Sequence, residues 1–513
     1  MPPSKLVVVA GAGPAGLTFA YELLRQEPGR EVLVLEPEAQ VGGLARTVEH
    51  RGSRMDIGGH RFFSKSDRVL AWWAEMLPFD LPADTEIGYQ NKSRTVRAGG
   101  LPRAVPGAEK SFRVRPRVSR IYHGRKFFDY PVTLSPRTLR QLGPARLAAI
   151  LGSYALARLT AFREPRNLEE FFIQRFGRRL YETFFRSYTE KVWGRPCAEI
   201  SASWGAQRVK SLSAAAAVRH AAAKLFGGAG RETSLIERFL YPYRGPGQLW
   251  EEAARRVTEL GGEIRLRRRV AGVEYDGARI VAVTMEDADT GARERQECSL
   301  FVSTMPVKDL IGGFSGPVPE EVRATAAGLE YRDFLTIGLL VDRLVVEGAS
   351  AAGLVRDSWI YVQEPDVKLG RIQVYNNWSE GMTADPSKVW LGLEYFCREG
   401  DELWRKTDAE AAAFAAEELA RIGFIEAGAV RDAAVLRVPK AYPAYWGAYD
   451  RFATIRKFVD AIPNLHLIGR NGMHRYNNQD HSMLAAMAAV DLVRGAGTRA
   501  AVWAVNADED YHE

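Results

Sequence analysis

Three glycines near the start of the chain have the spacing of a dinucleotide-binding turn. Gly11, Gly13 and Gly16 follow the apolar run "KLVVVA", and the helical pattern "PAGLTFAYELLRQ" continues from them. A second apolar run, "EVLVLE", ends on Glu36, which lies 20 residues after Gly16. In such a unit the glycines let the backbone approach a pyrophosphate at a helix N-terminus, and the acid binds the ribose hydroxyls. The segment therefore predicts a strand, turn, helix and strand that bind a dinucleotide.

A second stretch that could do chemistry lies near the end of the chain. "GRNGMHRYNNQDHSM" at 469–483 is dense in Arg, His, Tyr, amides and Asp, and it runs into the apolar helical pattern "SMLAAMAAVDLVRGA". Gly469 and Arg470 follow a strand-like run, so a helix N-terminus and a cation are expected beside an anionic or polar ligand. The amide of Gln479 is expected to reach the same ligand. This segment is interpreted as a late return of the chain to the nucleotide site.

A glycine doublet selects the cofactor. Gly42 and Gly43 follow Glu36 closely, in "PEAQVGGLART", and Arg46 comes three residues later. This arrangement resembles the FAD domain of the glutathione-reductase and amine-oxidase type, in which the doublet lets a second loop approach the flavin diphosphate. The same resemblance implies an adenine contact at Val270. FAD is the cofactor that we expect.

Several further motifs resemble the UDP-galactopyranose mutases, in order over nearly the whole chain. They are "MDIGGHRFFSKSDRVLAWWAEMLP" (55–78), "GRKFFDYPVTL" (124–134), "YETFFRSYTEKVWGRPCAEISASW" (181–204), "GRIQVYNNWS" (370–379), "AYPAY" (441–445) and the polar segment 469–483. The resemblance implies an enzyme that interconverts the pyranose and furanose forms of a nucleoside-diphosphate hexose of the UDP-galactose type. It also implies that N5 of reduced FAD attacks the anomeric carbon and forms a covalent flavin–sugar adduct without net redox change. An external reductant such as NAD(P)H is then expected.

The resemblance assigns arginines and tyrosines to the substrate. Arg186 and Arg371 match family arginines that hold the diphosphate from two sides, and a planar guanidinium suits this because it meets two oxygens at once. Such cations favour departure of the charged diphosphate. Tyr130, Tyr442 and Tyr476 match family tyrosines that donate to the diphosphate or sugar, since a phenol can donate a hydrogen bond while its ring lies against a sugar face.

The glycine pair before a histidine is assigned to the flavin ring. Gly59 stands where the backbone comes close to the isoalloxazine, and His60 matches a family histidine that lies against it. Because an ordinary histidine has a pKa of about 6.5, His60 is also a candidate for proton transfer at N5 or at a sugar hydroxyl. We favour a role beside the flavin over general-base duty.

The elements that carry these residues predict an α/β fold. We expect a Rossmann-like FAD-binding domain with an inserted helical domain and an antiparallel β-sheet substrate domain. The expected boundaries are 1–65 for the first part of the FAD domain, 66–134 for connecting strands and a basic insertion, 135–230 for the helical domain, 231–319 for the second part of the FAD domain, 320–445 for the sheet domain and 446–513 for the C-terminal return. The helical patterns include the Ala-rich run "SLSAAAAVRHAAAKLF" at 211–226.

Composition and charge favour a cytoplasmic protein without a metal. The three scattered cysteines, Cys197, Cys298 and Cys397, predict neither a disulfide framework nor a metal cluster. No apolar run approaches the roughly 20 residues that span a bilayer.

Residues 91–120 carry nine Lys or Arg against one Glu, a local charge of +8 that accounts for the formal +7 of the chain. The Gly and Pro content of this segment favours a solvated loop over a site for nucleic acid, a membrane surface or an acidic carrier. We expect no nucleic-acid partner and no membrane insertion, and self-association stays open.

Two other function classes fit the N-terminal half. An FAD-dependent oxidoreductase of the amine-oxidase, protoporphyrinogen-oxidase or carotenoid-desaturase type shares it, but predicts an apolar substrate channel that would leave buried arginines and tyrosines unsatisfied, at a cost of several kcal/mol. A flavin-binding protein without catalysis is the third class. The chain also departs from the mutase pattern, because it is longer than the bacterial enzymes, carries the basic insertion and has "HRFFSK" at 60–65. These departures bear on the identity of the nucleotide and sugar rather than on the chemistry.

Overall fold

The computed structural model of the chain describes residues 5–505 apart from 81–85, 90–91, 96–101, 131, 133–135, 161–163 and 203–237. The predicted α/β class is confirmed, because the chain combines a parallel sheet with antiparallel sheets and helices. The Ala-rich segment 211–226 and part of the basic segment 91–120 lie outside the described residues.

A five-stranded parallel sheet carries the predicted dinucleotide-binding segment. In spatial order its strands are Glu263–Leu266, Val32–Glu36, Val7–Ala10, Leu300–Ser303 and Leu465–Leu467. The central strand Val7–Ala10 and its neighbour Val32–Glu36 are apolar up to Glu36, as is typical of parallel strands that are covered on both faces. Because parallel strands end at one edge, the turns after Ala10, Glu36, Ser303 and Leu467 meet there. Segments far apart in sequence are thereby brought to one place.

A seven-stranded sheet forms the second half. Its strands, in spatial order, are Lys126–Asp129, Ser119–His123, Trp359–Val362, Arg371–Val374, Val389–Cys397, Tyr331–Val341 and Val430–Pro443. One pair, Ser119–His123 with Trp359–Val362, is parallel, and the other pairs are antiparallel. The two strands from 119–129 come from the segment that we expected to be connecting strands. They form a hairpin that turns at Gly124 and extends an edge of the sheet.

The two faces of the seven-stranded sheet differ. Residues directly opposite one another on neighbouring strands share a face, so Tyr361, Arg371 and Glu394 form one row across three strands. The alternate positions, such as Ile360 and Ile372, belong to a buried apolar cluster on the other face, which the helix Asp408–Arg421 covers. One face is therefore polar and aromatic, and the other is sealed.

Smaller sheets and helices complete the fold. The remaining strands are Phe79–Asp80, Phe112–Pro116 and Arg238–Pro242 in one sheet, Arg268–Tyr275, Ile280–Asp287, Arg293–Glu297 and Phe314–Ser315 in another, and the pairs Thr47–His50 with Ser53–Asp56 and Glu86–Tyr89 with Lys92–Thr95. The helices are Pro14–Gln26, Asp67–Met76, Pro136–Thr160, Leu168–Phe176, Arg178–Phe184, Arg186–Trp193, Gly247–Glu259, Val307–Gly312, Glu320–Ala327, Glu402–Arg405, Asp408–Arg421, Phe452–Asp460, Gly469–Gly472, Gln479–Val493 and Arg499–Ala504. Short 3₁₀ turns occupy Gly43–Ala45, Cys197–Glu199, Tyr375–Asn377, Glu380–Met382 and Gly447–Arg451.

A buried aromatic cluster joins the helices of 168–193 to the seven-stranded sheet. Tyr181 and Trp193 on the helices pack in one cluster with Phe334, Tyr442 and Trp446. This contact fixes the helix Arg186–Trp193 beside the polar row of the sheet. Among the described residues, no helix has both the length and the hydrophobicity that crossing a membrane requires.

Candidate active site

A cavity of about 640 Å³ lies between the carboxyl edge of the parallel sheet and the polar face of the seven-stranded sheet. This volume is in the range of sites that bind cofactors and small molecules. The sequence-predicted residues that line it are Gly11, Gly13, Glu36, Gly43, Gly59, His60, Arg371, Tyr442, Gly469, Arg470, Tyr476 and Gln479. Five others, Gly16, Arg46, Tyr130, Arg186 and Val270, are not among the residues that line it.

Two glycine loops form one end of the cavity. Gly11 has φ +104°, and a Cβ there would lie 2.1 Å from Thr304 Oγ1. A Cβ on Gly43 would lie 3.1 Å from the Cα of Gly13, so the two loops pass each other backbone to backbone. The two loops present main-chain groups to the cavity, beside the N-terminus of the helix Pro14–Gln26. Such a surface accepts a diphosphate.

Glu36 closes this end at the carboxyl end of its strand. The residue is 4% exposed, and its side chain accepts hydrogen bonds from the N–H of Ala12, at 2.7 Å, and of Glu38, at 3.1 Å. Burial raises the pKa of the carboxyl group, and the two backbone donors oppose that shift. The carboxyl group is thus held in place where the ribose of a dinucleotide is expected.

Three predicted cofactor residues lie outside the lining. A Cβ on Gly16 would lie 1.9 Å from the carbonyl oxygen of Gly11, so Gly16 permits close packing of helix on strand. Arg46 donates to the carbonyl oxygen of Gly43 at 3.2 Å and thereby braces the second glycine loop. Val270 lies on the strand Arg268–Tyr275 and packs against the main hydrophobic cluster.

His60 is a neutral side chain on the cavity wall. Its Nε2 lies 2.8 Å from the carbonyl oxygens of both Leu44 and Ile57, so Nε2 carries the proton and donates. Burial, with the charge of Arg470 as a second cause, lowers the pKa of His60 to about 4. The ring is therefore uncharged at neutral pH, and Nδ1 is its acceptor nitrogen.

Arg371 is a buried cation in the polar row of the sheet. It is 7% exposed, and its Nη1 lies 3.1 Å from Glu394 Oε2 and 3.5 Å from the hydroxyl of Tyr442. Its Nε donates to the hydroxyl oxygen of Tyr188 at 2.5 Å. Burial lowers the pKa of Arg371, but the adjacent Tyr188, Tyr442 and Glu394 outweigh it and hold the pKa above its usual value. The cavity therefore contains a permanent positive charge with an acid behind it.

Aromatic side chains from the same sheet surround this cation. Trp359 and Tyr361 line the cavity, and the guanidinium carbon of Arg371 lies 5.2 Å from the ring centroid of Trp359. Tyr130 stacks on Tyr361 with a centroid distance of 4.3 Å, so it lies one ring behind the lining. The wall is an aromatic surface around a charge, which suits a sugar or base next to an anion.

The polar segment 469–483 forms the wall between the two ends. Arg470 donates to the carbonyl oxygens of Asn477, at 3.0 Å, and Ala441, at 3.2 Å, and its guanidinium carbon lies 4.5 Å from the ring centroid of Tyr476. The rings of Tyr442 and Tyr476 stack at 5.7 Å. Burial raises the pKa of Tyr442 to about 12, so its hydroxyl keeps its proton at neutral pH.

Gln479 begins the apolar helix that follows this segment. Its Oε1 accepts a hydrogen bond from Trp250 Nε1 at 2.8 Å, which fixes the side chain on the cavity wall. The helix Gln479–Val493 then packs against the helix Pro14–Gln26. The late polar segment thus returns to the glycine loops, and its helix N-terminus lies at the cavity.

Arg186 lies on the outer face of its helix. Its side chain is 54% exposed and lies 3.3 Å from Glu190, one helical turn away. The structure does not bring Arg186 to the cavity. Among the described residues, no three His, Cys, Asp or Glu side chains are grouped as a metal site requires.

Several residues of the site escaped the sequence reasoning. Among them are the lining residues Arg61, Trp359 and Tyr361, and Glu394, which pairs with Arg371. Arg61 adjoins His60 in "GGHRFF", and Trp359 and Tyr361 alternate in "SWIYV". Glu394 is a lone acid in the apolar run "VWLGLEYF", a pattern that signals a buried partner.

The flavin containing amine oxidoreductase family matches residues 14–476, which is most of the chain. The chain belongs to this family. A protein described as a flavin-containing monoamine oxidase from Mycobacterium tuberculosis is 28% identical over 327 residues, covering 62% of this chain and 61% of that protein. A protein described as a UDP-galactopyranose mutase from Klebsiella pneumoniae is 24% identical over 213 residues, covering 39% of this chain and 44% of that protein. The match thus spans less than two thirds of the length of either relative.

Solved structures of other proteins share the fold. A crystal structure of reduced UDP-galactopyranose mutase matches with a TM-score of 0.77 and 20% identity, over 98% of this chain and 96% of that chain. A protein described as a protoporphyrinogen oxidase from Exiguobacterium matches with a TM-score of 0.66 and 16% identity, over 96% and 98%. The predicted mutase-like resemblance is confirmed at the level of the fold.

FAD is the cofactor of this family member. The family is defined by its flavin, and the side-chain-free glycine loops, the buried Glu36 and the helix N-terminus at Gln479 fit the diphosphate, the ribose and a polar ring edge. The chain is accordingly a flavin-dependent enzyme.

Proposed function

We propose that this flavoprotein is a sugar-nucleotide mutase that interconverts the pyranose and furanose forms of a nucleoside-diphosphate hexose of the UDP-galactose type. The observation that carries the proposal is the buried Arg371, which faces the cavity between two tyrosine hydroxyls with Glu394 behind it. Glu394 pairs with one side of the guanidinium, and the part of Arg371 that lines the cavity can bind an anionic ligand. The diphosphate of a sugar nucleotide is such a ligand.

In this proposal one end of the cavity binds FAD and the other end binds the sugar nucleotide. Gly11, Gly13 and Gly43 hold the FAD diphosphate, Glu36 binds the ribose, and Gln479 contacts the polar edge of the ring. Reduced FAD, when bound, supplies a nucleophilic nitrogen, so the reaction needs no nucleophile from the protein. The seven-stranded sheet and the polar segment then bind the sugar nucleotide.

Arg371 acts on the leaving group. The bond from the anomeric carbon to the diphosphate oxygen breaks, and the electron pair leaves with the diphosphate. Arg371 offsets the charge that develops on that oxygen, and Tyr442 donates a hydrogen bond because its hydroxyl stays protonated. The same bond re-forms after the ring closes through a different hydroxyl. Proton loss at one hydroxyl and gain at the other balance, and no electrons are lost overall.

His60 is suited to accept a hydrogen bond rather than to remove a proton. Its Nε2–H donates to two carbonyl oxygens, which leaves Nδ1 as the acceptor nitrogen of the ring. Because burial lowers its pKa to about 4, the ring is a weak base at neutral pH. We therefore propose that Nδ1 of His60 accepts a hydrogen bond from the flavin or from a sugar hydroxyl.

Charge on the cavity wall favours this function over amine oxidation. The charged lining residues are Arg61, Lys65, Arg371 and Arg470 against Glu36 and Asp480. A protonated amine would meet mostly like charge, which disfavours its binding, whereas a diphosphate would meet opposite charge. The alternative function is oxidation of an amine, the activity that the name of the monoamine oxidase relative gives. The experiment must distinguish it from the mutase reaction.

The test uses purified holoenzyme reduced with dithionite under anaerobic conditions and mixed with UDP-galactofuranose. We expect UDP-galactopyranose by ion-exchange chromatography, with many turnovers for each reduced flavin and none by the oxidised enzyme. Other nucleoside-diphosphate hexoses serve as the panel if this pair is inert. If no member of the panel isomerises and an amine instead bleaches the oxidised flavin, the oxidoreductase replaces the mutase.

A further inference from the structure

We infer that Arg61 is the second arginine that grips the substrate diphosphate, together with Arg371. This inference rests on the proposed function and names a binding residue to which the mutase resemblance assigned no role. The sequence resemblance had paired Arg371 with Arg186. The structure brings a different arginine to the cavity.

Arg61 and Arg371 both contact one tryptophan. The guanidinium carbon of Arg61 lies 4.9 Å from the ring centroid of Trp359, and that of Arg371 lies 5.2 Å from the same centroid. The two carbons are therefore no more than about 10 Å apart, and all three side chains line the cavity. Two arginines within this distance of each other can each bind one phosphate of a diphosphate.

The surroundings of Arg61 hold it in this position. Its Nη2 donates to Ser119 Oγ at 3.4 Å, and its guanidinium carbon also lies 5.9 Å from the ring centroid of Phe239. A guanidinium against ring faces keeps its N–H donors in its own plane, where they can meet phosphate oxygens. Ser119 and Trp359 pair across the parallel strands, so one sheet positions both contacts.

Arg186 has a different environment. It is more than half exposed and is engaged by Glu190 on its own helix. Arg61, by contrast, immediately follows His60, in the "HRFFSK" stretch that departs from the mutase pattern. If Arg61 takes the place of Arg186 as the second arginine at the diphosphate, a chain that has "HRFFSK" at this position keeps a site for a diphosphate.

The experiment measures the affinity of the reduced holoenzyme for UDP, UMP and uridine by calorimetry, with ADP, CDP, GDP and dTDP included to find the preferred base. The variants are Arg61→Met, Arg61→Lys and Arg186→Met. Arg51→Met is the matched control, because it removes one positive charge from a side chain that is 77% exposed. Flavin absorbance and melting temperature are recorded for each protein.

We expect Arg61→Met to weaken diphosphate binding by 10-fold to 100-fold and to narrow the preference for the diphosphate over the monophosphate. Arg61→Lys should recover part of that preference, since the charge returns without the planar fork. Arg186→Met and Arg51→Met should bind as the wild type does. A loss of packing alone would weaken the binding of UDP, UMP and uridine by the same factor.

The outcomes separate this inference from the proposed function. A wild type that binds no nucleoside diphosphate overturns both. A wild type that binds, with Arg61→Met equally tight, overturns the role of Arg61 alone. Loss of flavin from Arg61→Met would assign Arg61 to the cofactor, and a loss of affinity confined to Arg186→Met would restore the arginine pair predicted from the sequence. If Arg61→Met does not fold, Arg61→Gln keeps a polar group beside Ser119 and provides the same comparison.

Discussion

The two ends of the cavity are built by different means. At the flavin end the expected diphosphate site consists of backbone, because the glycine loops and a helix N-terminus present main-chain groups. The substrate end consists of side chains, because Arg371, Trp359, Tyr361 and Tyr442 project from strands of one sheet. A local run of sequence suffices to define the first, whereas the second depends on how distant strands pair.

This difference predicts that substitutions separate into two groups. Variants of the glycine loops should lose flavin, and variants of the sheet face should keep flavin and lose substrate. A variant that crosses from one group to the other would show that the two ends are not independent.

Removal of the buried charge should have the largest effect. Arg371→Met leaves Glu394 buried without its cation, which costs about 3–5 kcal/mol of stability. The double variant Arg371→Met with Glu394→Gln removes both charges and is expected to fold. We expect its kcat/KM to fall about 10³-fold, in line with the loss of a donor to developing charge, while flavin content stays normal. Loss of flavin in the double variant would contradict the division between the ends.

The opposite result is expected at the flavin end. In Gly11→Ala the new Cβ would lie 2.1 Å from Thr304 Oγ1 at φ +104°, so we expect FAD affinity to fall at least 10-fold on purification and reconstitution. Gly29→Ala is the matched control, because it also has a positive φ, of +87°, but meets no atom within 4 Å. That control should lose about 1 kcal/mol of stability and retain its flavin.

Tyr442→Phe tests the finer division within the substrate end. The hydroxyl that it removes lies 3.5 Å from Arg371 Nη1, and a hydrogen bond to a charged group contributes about 1.5–3 kcal/mol. We expect steady-state assays to show kcat/KM lowered about 10-fold. Tyr130→Phe, one ring behind the lining, should have a smaller effect; equal effects would place both tyrosines on the substrate.

The smallest expected effect concerns pH and the segment that joins the two ends. His474 is fully buried and its Nε2 contacts the carbonyl oxygen of Ala444 at 2.9 Å. Burial lowers the pKa of His474 to about 4, below the usual 6.5, so the unfolded chain binds the proton first and stability is lost as pH falls from about 6.5 towards 4. Between pH 7 and 6 this contributes about 0.7 kcal/mol.

Urea unfolding of the wild type and of His474→Gln at the two pH values measures that contribution as a difference. Other buried histidines titrate in both proteins and cancel. A wild type that loses no more stability than the variant would mean that folding does not lower the pKa of His474.

The glycine turn and Glu36 could be predicted from the sequence because their signals are local, whereas the predicted cofactor residues Arg46 and Val270 do not line the cavity. Gly11, Gly13 and Glu36 act within one strand–helix–strand unit, and their spacing fixes their geometry. Arg371 and Tyr442 were found through motifs rather than through spacing. Glu394 was missed because its partner is opposite it on another strand, a relation that depends on register.

Arg186 shows where motif reasoning ended. The 3.6-residue period of the helix Arg186–Trp193 places Arg186 and Glu190 together on the outer face, and Val192 and Trp193 are buried. Proximity to a motif did not reveal that orientation. Arg61 was quoted in a motif but was passed over, because nothing local shows that it lies against Trp359.

The alternation along the strand Arg371–Val374 makes the length of the preceding turn, 363–370, critical. Insertion or deletion of one residue there that shifted the pairing would exchange the two faces of the strand. Arg371 would then point into the apolar cluster beneath the helix Asp408–Arg421, and Ile372 would take the place of Arg371 in the cavity. The protein should therefore tolerate substitutions at residues 363–370 far better than an insertion or a deletion there.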